Sequence, residues 1–468
     1  MSTMSLPEAK GRQKEVLALP YQGTYVVLGT AGSGKTTMAI HRALLLADLC
    51  APGEKVLLTT FNKALAGYLG YLNEDQVSRL DILNYHKWAR WFLINNGCFA
   101  SDKLVNPNMQ QWVKRILMNK QRQVKSSILN KDAGFFIDEF QWIQRMGITD
   151  AEEYLNIPRI GRSEKLEKNA RTVCFELYKE YLHLRNQEGY KCDWGDMAGL
   201  VVNTIESGKS NSPYRHVIID EGQDFSPMML KSLAMIIPQN GSLLYFGDNA
   251  QQIYGRRISW RKAGLRNPRI WRFEQNYRNS RPITELAVAI SNHPYFIKDE
   301  DLVYPHNSRA EGPKPTLVSY RSEADEINAI VRVGISESRT RRLAILVRTS
   351  SEISRLTNAL IAAGRKPELI AEGNSQAWSN VPGISVGTYH SAKGLEFESV
   401  FLPFCSNAYL PCPRKVESIG NVEDAMVEEI KLLYVGVTRA RSRLVLSFTD
   451  TVTDLLPSNN ELYQRLER

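Results

Sequence analysis

A glycine-rich segment near the start of the chain carries residue types suited to binding phosphate. Residues 29–36 read GTAGSGKT. Glycines let successive backbone N–H groups converge on phosphate oxygens, Lys35 adds positive charge, and the Thr36 hydroxyl suits Mg²⁺. The alternative interpretation is a glycine-rich surface loop without a ligand. The pattern predicts a nucleoside triphosphate site formed by Gly29, Ala31, Gly32, Ser33, Gly34, Lys35, Thr36 and Thr37.

An acidic cluster farther along the chain could complete this site. Asp220 and Glu221 directly follow the apolar run His216–Ile219. Because ligands bind at the C-terminal ends of parallel strands, a carboxylate here suits hydrated Mg²⁺ beside the phosphate loop. Asp220 and Thr36 are therefore predicted as metal ligands, and Glu221 as the base that polarises an attacking water. The alternative interpretation of this acidic cluster is a surface turn.

The elements that must position these residues are predicted to alternate between strands and helices. Thr24–Leu28 is an apolar, β-branched run before the loop, and apolar residues recur at helical spacing after it. Similar short runs follow at Lys55–Thr60, His216–Ile219, Ser242–Phe246, Leu343–Val347, Ile384–Val386, Ser399–Leu402 and Arg443–Ser447. This alternation predicts an α/β fold with parallel sheets covered by helices. Residues 91–190 break the rhythm with helix-like periodicity and predict an inserted helical subdomain.

The charge balance favours a polyanionic partner. The 468 residues carry a formal net charge of +9, and the segments Lys103–Lys131 and Arg256–Arg272 each hold seven basic residues and no acidic one. Tryptophans at 112, 260 and 271 lie within these runs, and aromatic faces among cations suit base stacking combined with phosphate contact. The alternative is a solvated basic face with tryptophans in the core. Nucleic acid is the predicted partner.

The remaining composition argues against several classes of protein. None of the six cysteines forms a C-x-x-C pair, so neither a zinc nor an iron–sulfur cluster is predicted. No apolar run approaches the length of a membrane helix, about 18 residues, and no leader-like segment opens the chain. A cytoplasmic protein without membrane contact is expected.

Beyond these two sites, an ordered set of motifs resembles the UvrD/Rep-like superfamily 1A DNA helicases. Gln13 resembles the Q motif, and Tyr85 with His86 resembles motif Ic. Segments similar to motifs Ia, IV, V and VI are, in that order, Thr60–Ala64, Phe273–Arg278, Gly387–Phe397 and Leu433–Ala440. The resemblance extends from Gln13 to Leu446 and so covers nearly the whole chain.

The resemblance implies two RecA-like P-loop NTPase domains. Domain 1A would comprise residues 1–90 and 191–278, a helical 1B insertion residues 91–190, and domain 2A residues 279–468. The family usually carries a further subdomain, 2B, before motif V. Here the strand Leu343–Val347 precedes Ile384 by fewer than 40 residues, so 2B is predicted to be missing.

The resemblance also implies roles for individual residues. In the nucleotide site, Gln13 would read adenine, Tyr277 stack on it and Glu396 bind the ribose. Gln251 would sense the γ-phosphate or position the attacking water, and Arg278 and Arg439 would stabilise the charge of the γ-phosphate during transfer. The residues predicted to contact nucleic acid are Phe61, His86, Tyr254, Arg256, Trp260, Thr388 and His390.

Two positions depart from the family pattern. Arg256 stands where an aromatic residue is usual, and an arginine can stack and bind phosphate there, or Tyr254 or Trp260 can substitute. Asn84 replaces the usual Thr of motif Ic.

The implied function is an ATP- and Mg²⁺-dependent helicase or translocase that moves 3′ to 5′ on single-stranded or partial-duplex DNA. One alternative is a translocase subunit of a larger repair or antiphage defence complex, which strips proteins or senses strand ends without strong unwinding. A nucleotide-switched binding module is a second alternative. RNA as the track also stays open.

Overall fold

The computed structural model describes residues 8–30, 33–60, 78–97, 105–157, 159, 166–208, 211–248, 260, 263–265, 268–273, 279–296, 310–370, 381–413, 416 and 422–468. Two parallel sheets dominate this part of the chain, as the alternating apolar runs predict.

The first sheet has six strands in the order β3-β2-β4-β5-β1-β6, and all its pairings are parallel. Its strands are β1 Gly23–Gly29, β2 Lys55–Thr60, β3 Leu80–Asn84, β4 Tyr214–Asp220, β5 Ser242–Gly247 and β6 Arg269–Phe273. The helices that accompany it are α1 Gln13–Leu17, α2 Lys35–Leu49, α3 Tyr85–Asn95, α8 Met197–Glu206 and α9 Pro227–Met235.

Alternating side chains of these strands cover both faces of the sheet. Val26 and Leu28 point into a core shared with α3, α8 and α9, whereas Tyr25 and Val27 point into a core shared with α1 and α2. A parallel sheet buried on both faces requires continuous apolar strands, which explains why the short apolar runs predict its central strands. The carboxyl ends of β1, β4 and β5 therefore meet at one edge.

The second sheet has seven strands in the order β13-β7-β12-β11-β8-β10-β9, again with parallel pairings. Its strands are β7 Thr316–Tyr320, β8 Arg342–Val347, β9 Glu368–Leu369, β10 Gly383–Thr388, β11 Phe397–Leu402, β12 Ala440–Thr449 and β13 Gln464–Glu467. Two helices pack on each face: α10 Arg281–Ser291 and α13 Val422–Thr438 on one, α11 Glu323–Glu337 and α12 Ser350–Ala362 on the other.

A helical subdomain lies between α3 and α8 in the chain. Its helices are α4 Met109–Gln123, α5 Ala133–Met146, α6 Ala151–Asn156 and α7 Lys168–Gln187. They enclose a separate core around Phe136, Phe140 and Tyr181. Helix α3 runs through the predicted boundary at residue 90, because Phe92 and Leu93 belong to the core of the first sheet.

A buried polar network joins this subdomain to the first domain. The Asp193 carboxylate accepts hydrogen bonds from Asn106 at 3.3 Å, Gln144 at 2.8 Å, Tyr181 at 2.5 Å and Arg185 at 2.7 Å. Since breaking a buried ion pair by removing one partner costs about 3–5 kcal/mol, these contacts hold the two parts in a fixed arrangement. We call these five side chains the Asp193 network.

Candidate active site

The phosphate loop connects the end of β1 to the start of α2. Gly34 takes φ +83° just before Lys35, and a Cβ atom there would lie 2.5 Å from Nε2 of Gln13. Only glycine tolerates both the left-handed backbone and this close approach. Thr36 and Thr37 occupy the first turn of α2, where free backbone N–H groups and the helix dipole favour an anion. The local structure predicted around the loop is confirmed.

Lys35 is held inside the loop. Its ammonium donates to the carbonyl oxygens of Gly29 and Thr30, both at 2.8 Å, and lies 3.9 Å from the Asp248 carboxylate. The side chain is only 7% exposed. Its charge therefore sits in a low-dielectric environment, where electrostatic interactions with phosphate oxygens are strong.

Thr36 and Asp220 meet directly, although 184 positions separate them in the chain. The Thr36 hydroxyl donates to Oδ2 of Asp220 at 2.9 Å. The other oxygen, Oδ1, is buried and has no hydrogen-bond partner among the described residues. Since a buried carboxylate oxygen needs a partner, and Mg²⁺ takes one or two protein oxygens plus phosphate and water, this pair fits a magnesium ion. No group of three or more metal-binding side chains occurs in the described ranges.

Glu221 lies beside this pair with a strained backbone. Its φ of +51° is in the left-handed region, which non-glycine residues rarely adopt and which concentrates at functional sites. Its carboxylate accepts a hydrogen bond from Nε2 of Gln223, and Oε1 of Gln223 accepts from the backbone N–H of Asp248 at 2.9 Å. Gln223 thus fixes the orientation of Glu221 against the end of β5.

The two adjacent carboxylates titrate differently. Burial, and then the charge of Glu221, raise the pKa of Asp220 to about 7. Burial also opposes ionisation of Glu221, but the cations Lys35 and Lys393 and the bond from Gln223 outweigh it and lower its pKa. Glu221 is therefore the ionised partner, as a base for water requires, and a cation bound at Asp220 would favour ionisation there.

The second domain contributes two cations to this cleft. Lys393 forms a buried ion pair with Asp224, which follows β4 in the first domain. Arg439, between α13 and β12, is 1% exposed, and its charge also lowers the pKa of Glu221. Its guanidinium donates to the carbonyls of Val435 at 3.0 Å and Leu395 at 3.2 Å. Lys393 lies before β11, and Arg439 lies directly before β12. The N-terminal ends of these two strands therefore face the cleft.

Two predicted nucleotide contacts lie at the edges of the site. Gln13 donates to the carbonyl of Ser33 at 2.8 Å and accepts from the backbone N–H of Lys10 at 2.8 Å, so it supports the phosphate loop directly. Glu396 precedes β11 and is half-buried, in electrostatic contact with Arg342. Their roles at adenine and ribose stay predictions.

Three of the predicted nucleic-acid contacts that the structure describes, His86, Thr388 and His390, lie near strand ends. His86 lies in the first turn of α3, which Asn84 caps by accepting from the N–H of Lys87 at 2.8 Å. The Asn84 that departs from the family pattern is thus a sound helix cap. Thr388 ends β10, with its hydroxyl bonded to Ser391, and half-buried His390 follows.

Trp260 is half-buried beside the core of the first sheet, and its predicted role in binding nucleic acid stays a prediction. Its ring packs edge-on against Tyr245 at 5.1 Å beside the first core, and its indole N–H is buried. Trp194 has the opposite character: it is 51% exposed and lies edge-on to His86, with ring centroids 5.2 Å apart. The ring of Trp194 is therefore more exposed than that of Trp260.

Several predicted site residues lie outside the described residues. These are Ala31, Gly32, Phe61, Gln251, Tyr254, Arg256, Tyr277 and Arg278. Sequence reasoning also assigned no role to Gln223, Lys393 or Trp194, although Gln223 lies two positions after Glu221 and Lys393 lies within the segment that resembles motif V. The available signal was the residue type, which is polar for Gln223 and Lys393 and aromatic for Trp194.

Comparison with known proteins agrees with this site. The family model described as the UvrD/REP helicase N-terminal domain matches residues 9–278, and that of the UvrD-like helicase C-terminal domain matches residues 365–451. Within the described ranges, no helix combines the length and apolar character needed to cross a membrane.

Curated relatives carry related names. A probable DNA helicase of Mycoplasma pneumoniae is 23% identical over 457 residues, covering 91% of this chain and 80% of the relative. The ATP-dependent DNA helicase UvrD2 of Mycobacterium tuberculosis is 22% identical over 572 residues, covering 96% and 80%. The ATP-dependent DNA helicase srs2 of Schizosaccharomyces pombe is 24% identical over 372 residues, covering 74% of this chain but 42% of that protein. With a family match over more than half of its length, the chain belongs to the UvrD/REP helicases, superfamily 1A enzymes that hydrolyse ATP and act on DNA.

Proposed function

We propose that this chain converts ATP hydrolysis into directed movement along single-stranded DNA, with 3′ to 5′ polarity. The observation that carries the proposal is the cleft between the two domains. Asp220, Glu221 and Asp224 come from the first domain, and the cations Lys393 and Arg439 come from the second. A site assembled from both sides can link nucleotide state to domain position. The polarity follows from the family resemblance.

In this proposal each residue around the triphosphate has a separate task. The loop amides and Lys35 bind the phosphates, and Glu221, oriented by Gln223, accepts a proton from the attacking water. Arg439 stabilises the charge that grows on the γ-phosphoryl group. Thr36 and Asp220 would hold a magnesium ion, which would supply positive charge against the phosphates.

To act in this way, Arg439 must break some of its present hydrogen bonds. Its guanidinium is bonded to the carbonyls of Val435 and Leu395, within its own domain. We propose that a DNA strand bound across both domains moves it toward the γ-phosphate, so that hydrolysis is slow without DNA. His86 and Trp194 would contact the strand on the first domain, and Thr388 and His390 on the second. Gln251, Tyr277 and Arg278 keep the roles implied by the resemblance.

The test is the ATPase rate with and without single-stranded DNA. We expect stimulation of at least tenfold by an oligothymidylate long enough to span both domains. A rate that is indifferent to DNA would contradict the coupling between strand and active site. A Lys393→Arg variant, which keeps the interdomain charge, should retain stimulation.

A second candidate is a translocase subunit of a larger DNA-processing or defence complex, without strong unwinding. The short connection from β8 to β10, residues 348–382, favours it, because this is where relatives with a 2B subdomain carry that insertion. Strand displacement on duplexes with 3′ or 5′ tails distinguishes the two candidates. Repeating the assay with RNA tails tests the track, and weak hydrolysis with tight binding would favour a nucleotide-switched binding module.

A further inference from the structure

A cavity in the second domain lies away from the ATP cleft. It has a volume of about 490 Å³ and lies where β7 ends, beside Arg468, the residue after β13. Lys393 and Arg439 stand before strands of the same parallel sheet, so the cavity and the cleft lie at opposite edges of that sheet. The crevice outside the carboxyl ends of parallel strands commonly holds a ligand in α/β folds. We call this cavity the arginine pocket.

The end of β7 and one face of α11 supply most of the lining of the arginine pocket. Asp325, Asn328 and Arg332 are separated by three and then four residues in α11, a spacing that puts them on one face of the helix. Tyr320 ends β7, and Arg321 follows it directly. Polar side chains from a strand end and from a helix therefore meet around one cavity.

Arg468 completes the pocket from the neighbouring strand. Its backbone N–H donates to the carbonyl of Ser319 at 2.9 Å, which continues the pairing of β13 with β7 and sets Arg468 beside Tyr320. The charges of Arg468 and Arg332 both act on the Tyr320 phenol. Two guanidinium groups that are far apart in the chain thus lie near one tyrosine.

The pocket holds three guanidinium groups and one carboxylate. Arg321, Arg332 and Arg468 are exposed, and none of them forms an ion pair with a residue that the structure describes. The Asp325 carboxylate instead accepts a hydrogen bond at 2.7 Å from the hydroxyl of Ser322, the residue that caps α11. Cations held close together repel one another, and an anion relieves this repulsion.

The other polar groups of the pocket also favour an anion. Burial raises the pKa of the Tyr320 phenol, and the opposing charges of Arg468 and Arg332 do not cancel this shift. The phenol therefore stays protonated and can donate a hydrogen bond. Asn328 is exposed and adds an amide group that can also donate.

The donors and the volume indicate the kind of anion. An arginine side chain presents a planar set of donors that can pair with two oxygens of one phosphate group. Three such side chains suit a ligand that carries more than one phosphate. The volume falls in the range of small-molecule sites, about 300–1,000 Å³. Stacking of DNA bases fits less well, because the ring of Tyr320 in the lining is half-buried.

We propose that the arginine pocket binds a small molecule that carries two or more phosphate groups. The guanidinium groups of Arg321, Arg332 and Arg468 hold the phosphates, and the Tyr320 hydroxyl and the Asn328 amide orient the ligand by hydrogen bonds. The inference goes beyond ATP hydrolysis and movement on DNA, because the pocket shares no residue with the ATP cleft or with the predicted strand contacts.

The test uses inorganic pyrophosphate as the probe and calorimetric titration in EDTA as the measurement. Every protein carries Lys35→Ala, so that the phosphate loop does not contribute a second site. In this background, Arg321→Gln/Arg332→Gln is compared with a matched control, Arg365→Gln/Lys366→Gln, which removes two exposed cations elsewhere in the second domain. We expect the pocket variant to lose about tenfold or more in pyrophosphate affinity, because it loses hydrogen bonds to a charged ligand. The control should bind pyrophosphate as its Lys35→Ala parent does.

Two results would overturn the inference directly. One is a Lys35→Ala parent that does not bind pyrophosphate, and the other is an equal loss of affinity in the pocket variant and the control. Citrate, whose charges are carboxylates, should bind more weakly than pyrophosphate. Equal affinities for the two anions would overturn the assignment to phosphate.

A DNA backbone is the other source of phosphate near this edge of the sheet. Thr388 ends β10, four strand positions from β7, which is about 19 Å at about 4.8 Å per strand. Pyrophosphate is therefore also titrated with oligothymidylate present, and we expect its affinity for the pocket to be unchanged. Competition between the two would overturn the inference in favour of a DNA contact.

The ATPase assay separates this inference from the proposed function. With Lys35 intact, Arg321→Gln/Arg332→Gln should show the same stimulation by single-stranded DNA as wild type. Loss of stimulation in this variant would again favour a DNA contact over a small ligand. A wild-type protein without stimulation would contradict the proposed function, whereas the pyrophosphate titration would still decide the inference.

Discussion

The nucleotide cleft and the proposed strand surface are built in opposite ways. In the cleft, Lys35 and Asp220 are nearly or fully buried, and the carboxylates are linked to cations and amides from several elements. On the strand surface, Trp194 is half exposed and contacts His86 through ring edges. Phosphoryl transfer requires charges held in advance in a low-dielectric site, whereas a strand that must slide requires contacts that are easily made and broken.

This difference leads to distinct expectations for mutations in the two regions. Changes in the cleft should reduce turnover more than DNA binding, and changes on the surface should do the reverse. The link between the regions is the domain arrangement, for which the ion pair between Lys393 and Asp224 is the clearest contact.

The largest effect is expected for Glu221→Gln. Removing the carboxylate that accepts the proton should lower DNA-stimulated kcat by about 10²–10⁴-fold, the usual range for a general base. Single-stranded DNA affinity should change less than threefold. Steady-state ATPase and anisotropy check both values, and the matched control is Glu152→Gln, which changes an exposed side chain of α6. A variant with near-normal turnover would refute Glu221 as the base.

Lys393→Ala tests the contact between domains. It leaves Asp224 buried without its cation, an unfavourable state, and removes a charge that favours ionised Glu221. We expect DNA-stimulated kcat to fall by about tenfold to a hundredfold. Lys393→Ala/Asp224→Asn should recover thermal stability relative to the single variant, measured by melting temperature. Equal stability of the two variants would argue that the pair does not hold the domains together.

Trp194→Ala should affect the strand surface alone. Loss of one stacked base costs about 1–3 kcal/mol, which corresponds to roughly fivefold to 150-fold in single-stranded DNA affinity. Trp194→Phe should restore most of it. Trp91 is also exposed but packs against Tyr214, so Trp91→Ala serves as the control. Equal losses from both tryptophans would indicate a general structural effect, and kcat at saturating DNA should stay within about threefold.

The smallest effect concerns pH in the absence of nucleotide and divalent cations. The pKa of Asp220 is raised to about 7 from an ordinary 3.8, so between these values the folded state binds more protons than the unfolded chain. Its contribution to the free energy of unfolding is present at low pH and lost as pH rises through this window. Glu221, with a lowered pKa, contributes in the opposite direction.

The Asp220→Asn substitution removes the pH-dependent contribution of Asp220 to the free energy of unfolding. Melting temperatures in EDTA at pH 5 and pH 7.5 should therefore show wild type losing stability relative to Asp220→Asn as pH increases. The same difference between the two proteins at both pH values would count against the raised pKa.

The central strands were predictable from sequence because they are buried on both faces and read as apolar runs. Edge strands were not: β13 is exposed along its whole length, and β9 has two residues. Strand β6, at one edge of the first sheet, mixes basic and apolar residues without regular alternation. Such strands are held in the sheet by hydrogen bonds to the backbone of the neighbouring strand more than by burial of their own side chains.

The residues of the site also divide into those that the sequence predicts and those that it does not. The phosphate loop is local in the chain, so its glycine spacing predicts its conformation. The ion pair of Lys393 with Asp224 joins residues 169 positions apart, and the contact of Trp194 with His86 joins different elements. Neither follows from spacing, because each depends on how domains and helices pack. Trp260 shows the converse, since an aromatic residue in a basic run proved to pack beside the core.

The bonds around Asp193 also determine how the protein could be shortened. Excising residues 105–190 would delete Asn106, Gln144, Tyr181 and Arg185 together, and the carboxylate left behind would lose every partner it has in that network. A helical subdomain grafted from a relative would need side chains that again donate hydrogen bonds to the Asp193 carboxylate. The first domain and the helical subdomain are therefore expected to have changed together during evolution.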